Sequence, residues 1–205
     1  MKPRIIEKIS RESEEFAHLQ LEEMGPLGDT LAHYNGKEIN VSGGIPGEEV
    51  ICKIIRSRGN RNTCEQISAT VTKVLRSSPH RIKPPCPYFG PCSGCQWQHI
   101  NYKYQLSLKR ETVRHWIRKF KELGNVPVPA TVASPQQFGY RNHARLTVRQ
   151  GGKLGFNNRA TRKFVQINHC MLMNPGINKT LQNLQGRCSE TTNLTIRHST
   201  NTSEY

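Results

Sequence analysis

Three cysteines near the middle of the chain are spaced so that they could hold one inorganic centre. Cys86, Cys92 and Cys95 follow the pattern C-x5-C-x2-C on a segment rich in proline and glycine. Thiolates bind zinc and the irons of iron–sulfur clusters, and such a segment leaves backbone amides free to donate hydrogen bonds. The chain contains seven cysteines, and its N-terminus lacks the apolar core of a signal peptide. Both features favour metal binding or catalysis over a disulfide framework.

A four-iron cluster needs a fourth ligand, and Cys170 is the leading candidate. It follows a predicted strand, and a distant fourth ligand would clamp that part of the chain onto residues 86–95, the cysteine loop. Zinc is the alternative centre, with His99 and His169 as possible ligands, although structural zinc sites usually pair short-spaced motifs. A coincidence of free thiols is the third alternative. The spacing favours an iron–sulfur cluster and leaves zinc open.

The distribution of charge is the second feature that indicates a partner. The net charge is +15, from 30 Lys and Arg against 15 Asp and Glu. Residues 1–30 hold four basic against seven acidic side chains, and the remaining 175 residues hold 26 against 8. An excess of that size attracts polyanions and favours nucleic acid over a merely solubilising surface. A membrane surface is the weaker alternative, because no predicted helix pairs a basic face with a broad apolar one.

The longest predicted helix, over residues 102–123, carries a stripe of basic side chains at steps of four, four and three. The members of this stripe are Arg110, Arg114, Arg118 and Lys121. They form either a phosphate-binding face or a solvated one. Apolar residues also recur at helical spacing and are predicted to face a core. These are Leu106, Val113, Ile117 and Phe120.

The predicted elements divide the chain into three parts. Residues 1–15 form a charged, frayed N-terminus. Residues 16–76 contain four or five short strands separated by glycine- and proline-rich turns, which predicts a small OB-like barrel with Cys52 and Cys64 in its core. Residues 77–205 begin with a proline-rich boundary and continue as an α+β domain. The predicted fold class is therefore mainly β, with an α+β second domain.

The sequence also indicates where the protein resides. No run of about 18 apolar residues is present, so no membrane span is predicted. The charged N-terminus does not fit a secretory signal. We therefore expect a cytoplasmic protein, and we expect it to be a monomer.

Several motifs between residues 16 and 205 resemble those of the iron–sulfur uracil-C5 RNA methyltransferases, which act on tRNA or on large-subunit ribosomal RNA. The matching stretches are Pro84-Pro85-Cys86 through Cys95 to His99, Ile45-Pro46-Gly47-Glu48, Ser77-Ser78-Pro79-His80-Arg81, Tyr104-Gln105-Leu106 with Lys109, Tyr140 to Arg145, and Leu154-Gly155-Phe156 with the stretch up to Cys170. Departures also occur: Ser93 stands where the family usually has Gly, Asn40 where an aromatic residue is common, and His143 in place of Lys. None of them removes a cysteine.

The resemblance implies a cofactor, a fold and a partner. It implies that Cys86, Cys92, Cys95 and Cys170 hold a 4Fe–4S cluster, and that the barrel is a TRAM domain, an OB-like RNA-binding module. It further implies that the partner is structured RNA, either rRNA or tRNA. The candidate RNA contacts are the basic stripe of the longest helix and the two arginines of the motif from Tyr140 to Arg145. These residues are Arg110, Arg114, Arg118, Lys121, Arg141 and Arg145.

The family's chemistry also requires a C-terminal Rossmann-like methyltransferase domain. That domain binds S-adenosylmethionine and supplies a cysteine nucleophile and a base. This sequence contains no glycine-rich loop between a strand and a helix, and Cys188 does not lie in a nucleophile-like context. We therefore assign no catalytic or S-adenosylmethionine-binding residue, and expect the RNA-binding, cluster-carrying part of a methyltransferase that is inactive alone. The alternative is a stand-alone RNA-binding iron–sulfur module.

Overall fold

The structure is a computed structural model that describes residues 14–57, 66–159 and 161–199. The chain divides into two compact units, Met1–Pro79 and His80–Tyr205. Most of the predicted N-terminal segment lies outside the described residues, and so does Cys64. Neither described helix is long and apolar enough to cross a membrane.

The first unit consists of five strands in one sheet. The strands are β1 (Phe16–Gln20), β2 (Thr30–Tyr34), β3 (Lys37–Ser42), β4 (Glu49–Ser57) and β5 (Gln66–Arg76). Their order in the sheet is β1-β4-β5-β3-β2, with β3 and β5 parallel and the other neighbours antiparallel. The predicted β-rich first domain is confirmed, as a curled sheet that forms a half-barrel.

Backbone hydrogen bonds bring the two edge strands of this sheet toward each other. The Glu22 N–H donates to the Leu31 carbonyl at 2.9 Å, and the Leu31 N–H donates to the Glu23 carbonyl at 2.8 Å. Alternate residues of each strand face the enclosed core, as the period of two requires. Cys52 is fully buried there, as predicted, and burial raises the pKa of its thiol to about 11.

A buried carboxylate closes the turn before β4. The Glu48 side chain has an exposed fraction of 0%. Its two oxygens accept hydrogen bonds from the backbone N–H groups of Ile45 and Ser78, each at 3.0 Å. One side chain therefore holds the turn and the first residues after β5 together.

The second unit combines two helices with a four-stranded antiparallel sheet. Its elements are α1 (Tyr102–Arg118), β6 (His143–Arg149), β7 (Lys153–Asn157), β8 (Phe164–Gln166), α2 (Pro175–Leu184) and β9 (Asn193–Arg197). The strand order is β8-β7-β6-β9. One face of the sheet packs on α2 around a buried apolar core that includes Leu146, Leu154, Ile177 and Leu181.

The helix α1 is shorter than predicted and its apolar side chains are more exposed. The Asn101 side chain caps its first turn by accepting the Tyr104 N–H at 2.9 Å, but the helix ends at Arg118 rather than at residue 123. The prediction that its apolar stripe faces a core holds only in part: Leu106 and Ile117 are half-buried, but Val113 is 48% exposed and Phe120 is 56% exposed. Helical spacing identified the stripe, but spacing does not determine whether another element packs against it.

We predict that Glu48→Ala destabilises the first unit by about 3 kcal/mol, because it leaves one buried and one partly buried backbone N–H group without their carboxylate acceptor. The adjacent Glu49→Ala is the matched control. Glu49 is partly exposed and pairs with His18 and Arg76, so its loss should cost less than about 1 kcal/mol. Native-state hydrogen exchange of the β1–β5 amides measures both. Equal losses from the two variants would contradict the assigned role of Glu48.

Candidate metal centre

The four predicted cysteine ligands line a single cleft of the second unit. Cys86, Cys92 and Cys95 come from the cysteine loop, and Cys170 comes from the segment after β8. The other lining residues are largely apolar and include Phe89, Phe156, Ile167, Met171 and Leu172. The structure therefore brings Cys170 to the three thiols of the cysteine loop, although it lies 75 residues beyond Cys95 in the sequence.

Two turns shape the cysteine loop. The Phe89 N–H donates to the Cys86 carbonyl at 3.1 Å, and the Cys92 N–H donates to the Tyr88 carbonyl at 2.8 Å. Between them Gly90 has a φ of +94°, which a residue with a side chain rarely adopts. The proline- and glycine-rich sequence of the loop thus forms tight turns that direct the thiols into the cleft.

Gln98 connects two of the candidate ligands. Its Nε2 donates to Cys95 Sγ at 3.1 Å, and its Oε1 accepts the Cys86 N–H at 3.2 Å. Sequence reasoning missed this role, although Gln98 belongs to a stretch that resembles the family motif. A side-chain amide suits the position because it can donate to sulfur and accept from an amide at once.

Asn178 of α2 positions Cys170. Its Oδ1 accepts the Cys170 N–H at 2.8 Å, and its Nδ2 donates to the carbonyls of Cys170 and Met173 at 3.0 and 3.2 Å. Asn178 is buried on the inner face of the helix. That polar residue on an otherwise apolar face is the signal by which the sequence could have revealed it.

The loop after β7 attaches the cysteine loop to the sheet. The Asn158 side chain donates to the Pro91 carbonyl at 2.8 Å, and the Arg159 N–H donates to Ser93 Oγ at 2.7 Å. Ser93 is a position where the chain departs from the family pattern, and its hydroxyl accepts a hydrogen bond that a glycine there could not.

The environment of two of the thiols, Cys92 and Cys95, favours their protonated form. Burial is the main cause that raises the pKa of Cys92 and of Cys95, and the neighbouring cysteines add to the effect. A backbone N–H at Gly94 and the Gln98 amide act in the opposite direction on these two thiols. A bound cationic centre would have to displace the thiol protons.

The alternative zinc ligands lie in different surroundings. His169 lines the cleft, whereas His99 is buried with its ring 5.5 Å from that of Phe89. Within the part of the chain that the structure describes, no group of three or more His, Cys, Asp or Glu side chains has the compact arrangement that holds a single metal ion.

The structure places the six candidate RNA contacts in different locations. Arg110, Arg114 and Arg118 line one groove with residues 124–128. Lys121 lies beyond the helix, in the short 3-10 turn Lys121–Leu123. The remaining two lie elsewhere in the second unit.

Arg141 lines the cysteine cleft, and its backbone pairs with Met173. Arg145 is exposed on β6, on the face of the sheet that points away from the core. Three of the four residues of the basic stripe therefore line one groove. Arg141 and Arg145 are not part of that groove.

Two interactions already engage the arginines of this groove. Arg110 Nε donates to the Val128 carbonyl at 2.8 Å, which fixes its guanidinium. Arg114 pairs with Glu111 at 3.0 Å. The groove still presents three guanidinium groups to an anion, because an arginine has more donors than either interaction uses.

Comparison with known proteins gives relatives but no matching protein-family model. An RNA methyltransferase of Aquifex aeolicus is 31% identical over 82% of this chain and 38% of its own length. A Bacillus cereus RNA methyltransferase is 31% identical over 86% of the chain and 38% of its own length. A 23S rRNA uracil-C5 methyltransferase of Vibrio parahaemolyticus is 29% identical over 80% of the chain and 37% of its own length. The chain thus spans somewhat more than a third of the length of these relatives, and its similarity to them is consistent with the uracil-C5 RNA methyltransferase family that its motifs resemble.

Proposed function

We propose that this chain is the RNA-binding, iron–sulfur part of an S-adenosylmethionine-dependent methyltransferase that modifies carbon 5 of a uridine in rRNA or tRNA. The observation that carries the proposal is the cleft that contains Cys86, Cys92, Cys95 and Cys170. Cys170 lies 75 residues beyond Cys95 in the sequence. Four such thiols would not be expected to converge by chance.

The cleft suits a 4Fe–4S cluster, whose four irons each take one thiolate. Hydrogen bonds to the sulfurs and the shielding of the centre from water tune such clusters, and Gln98, the Gly94 N–H and the apolar lining supply both. Arg141 lines the cleft as well and provides a positive charge near the thiolates. When bound, the cluster supplies a cross-link between the cysteine loop and the Cys170 segment.

The first unit supports the RNA-binding part of the proposal. Its strand order, with the parallel pair β3–β5, is the one expected of an OB-like barrel. Barrels of this type often bind nucleic acid. We propose that this unit is the TRAM domain. The donor site and the nucleophile are proposed to belong to a methyltransferase domain such as the longer relatives would contain.

The protein purified without oxygen is expected to be brown and to contain about four irons and four sulfides per chain. Cys92→Ser and Cys170→Ser should each leave less than about one iron, because each removes a ligand. Cys188→Ser is the control and should keep full iron, since Cys188 packs against the apolar core of the unit. Iron and sulfide analysis measures all of them. A colourless protein with one zinc per chain would overturn the cluster.

Affinity for structured RNA is expected to fall steeply with salt, because neutralised phosphates release counterions. Arg114→Gln with Arg118→Gln should reduce the slope of log K against log salt by about 1.8 on duplex RNA, as two phosphate contacts are lost. Lys103→Gln with Lys179→Gln removes the same charge away from the groove and should change the slope little. Fluorescence anisotropy across a salt series gives the slopes. An unchanged slope in the arginine variant would show that the groove is merely solvated.

The chain alone is expected to bind no S-adenosylmethionine and to methylate no RNA. Methyl transfer needs a donor site, a thiol, a base and a pocket for the extruded uridine, and the sequence lacks a glycine-rich donor loop. Calorimetry and a radioactive methyl-transfer assay test this. Joining a methyltransferase domain from a relative should restore activity. Stoichiometric methylation by residues 1–205 alone would contradict the proposed division of labour.

A further inference from the structure

The outward face of the four-stranded sheet is strongly basic. The face opposite α2 carries exposed cationic side chains on three of its four strands: Arg145, Arg149, Lys153 and Arg197. His143 adds a fifth basic group. Strands β6 to β9 contain no Asp or Glu at all. The face therefore presents positive charge without a carboxylate on its own strands to balance it.

The register brings these groups next to one another. Arg149 of β6 lies directly opposite Lys153 of β7, and His143 lies opposite Arg197 of β9. The Arg149–Lys153 pair places like charges directly opposite each other, which is destabilising in an antiparallel pair. Such an arrangement reduces the stability of the isolated sheet, and a bound polyanion would offset that cost.

An aromatic ring lies on the same face. Phe164 of β8 covers Gly155 of β7, because a Cβ built on Gly155 would come within 2.9 Å of the Phe164 ring. The ring is only partly buried. Beside it, Asn157 Nδ2 donates to Thr147 Oγ1 at 3.3 Å. The face thus offers a flat ring, amide and hydroxyl groups, and cations side by side.

We propose that this sheet face binds a single-stranded stretch of RNA, with phosphates on its cations and one base stacked on Phe164. The inference rests on the proposed function, since it names the surface that contacts the RNA. Single strands are bound by exposed aromatic rings set among cations. Arg145 and Arg149 are about 13 Å apart along β6, so they would contact different nucleotides. A lipid surface or an apolar protein partner fits poorly, because Phe164 is the one large apolar side chain on the described outward face.

The test compares two variants with a control on a labelled single-stranded oligoribonucleotide and on a duplex of equal length. Arg149→Gln with Lys153→Gln should reduce the salt slope on the single strand by about 1.4, for two lost phosphate contacts. Phe164→Leu keeps an apolar side chain but removes the ring, and should weaken single-strand binding about tenfold, the value of one stacked base. Its effect on duplex binding should be small. Lys179→Gln, on α2 behind the sheet, should change neither.

The iron content of each variant reports its fold independently of RNA. If the wild-type chain binds RNA and the sheet variants bind it with the same affinity and the same salt slope, this inference is overturned and the proposed function stays intact. Failure of the wild-type chain to bind any RNA would overturn both. A loss for Phe164→Leu that is equal on single strand and duplex would exclude base stacking.

Discussion

The second unit depends on holding Cys170 against the cysteine loop. Of three polar side chains involved, Tyr88 bonds across these two segments, while Gln98 and Asn178 each fix one of them. Gln98 bonds to two loop cysteines, Asn178 bonds to the backbone of Cys170, and the Tyr88 hydroxyl accepts the Asn168 N–H at 3.2 Å. Each bond is worth about 1 kcal/mol net. The cleft is therefore formed by protein contacts of modest strength, on which a bound centre could build.

The chemistry of the thiols links this geometry to binding. Buried thiols with a raised pKa hold their protons at neutral pH, so a centre that binds thiolates must release protons as it enters. The free energy of binding is then shared between deprotonation and cross-linking of the fold. The hydrogen bonds already made to Cys95 and Cys170 would favour binding, because ligands that are already positioned lose less conformational entropy when a centre binds.

The sequence was informative where chemistry and local pattern coincide. The spacing of Cys86, Cys92 and Cys95 indicated an inorganic site, and period-two alternation identified the β-rich first unit. Cys170 could be paired with them only through its predicted strand and the family resemblance, because spacing along the chain does not determine contacts 75 residues apart. Helical periodicity likewise predicted that α1 forms. It did not predict the residue at which the helix ends or the exposure of Val113.

The outward face of the second sheet was beyond prediction for a related reason. Arg149, Lys153 and Arg197 lie on three different strands, and their adjacency depends on the register of two pairings and on a three-residue turn at residues 150–152. A shift of register by one residue would turn these side chains to the other face. Their arrangement is therefore a property of the fold rather than of any segment of sequence.

The two basic surfaces of the second unit differ in how much of their positive charge is available to a polyanion. At physiological salt, charges interact over about 8 Å, so local neighbours decide the contribution of each cation. In the groove, Glu111 pairs with Arg114 and would compete with a phosphate for it, and Arg110 is fixed to a carbonyl. On the sheet no strand carries an acidic side chain, and repulsion between Arg149 and Lys153 is relieved when an anion binds. The net charge of the chain would therefore attract a polyanion such as the proposed RNA. Because β6 to β9 carry no carboxylates, each cation of the sheet would gain more from contact with a phosphate than a cation of the groove.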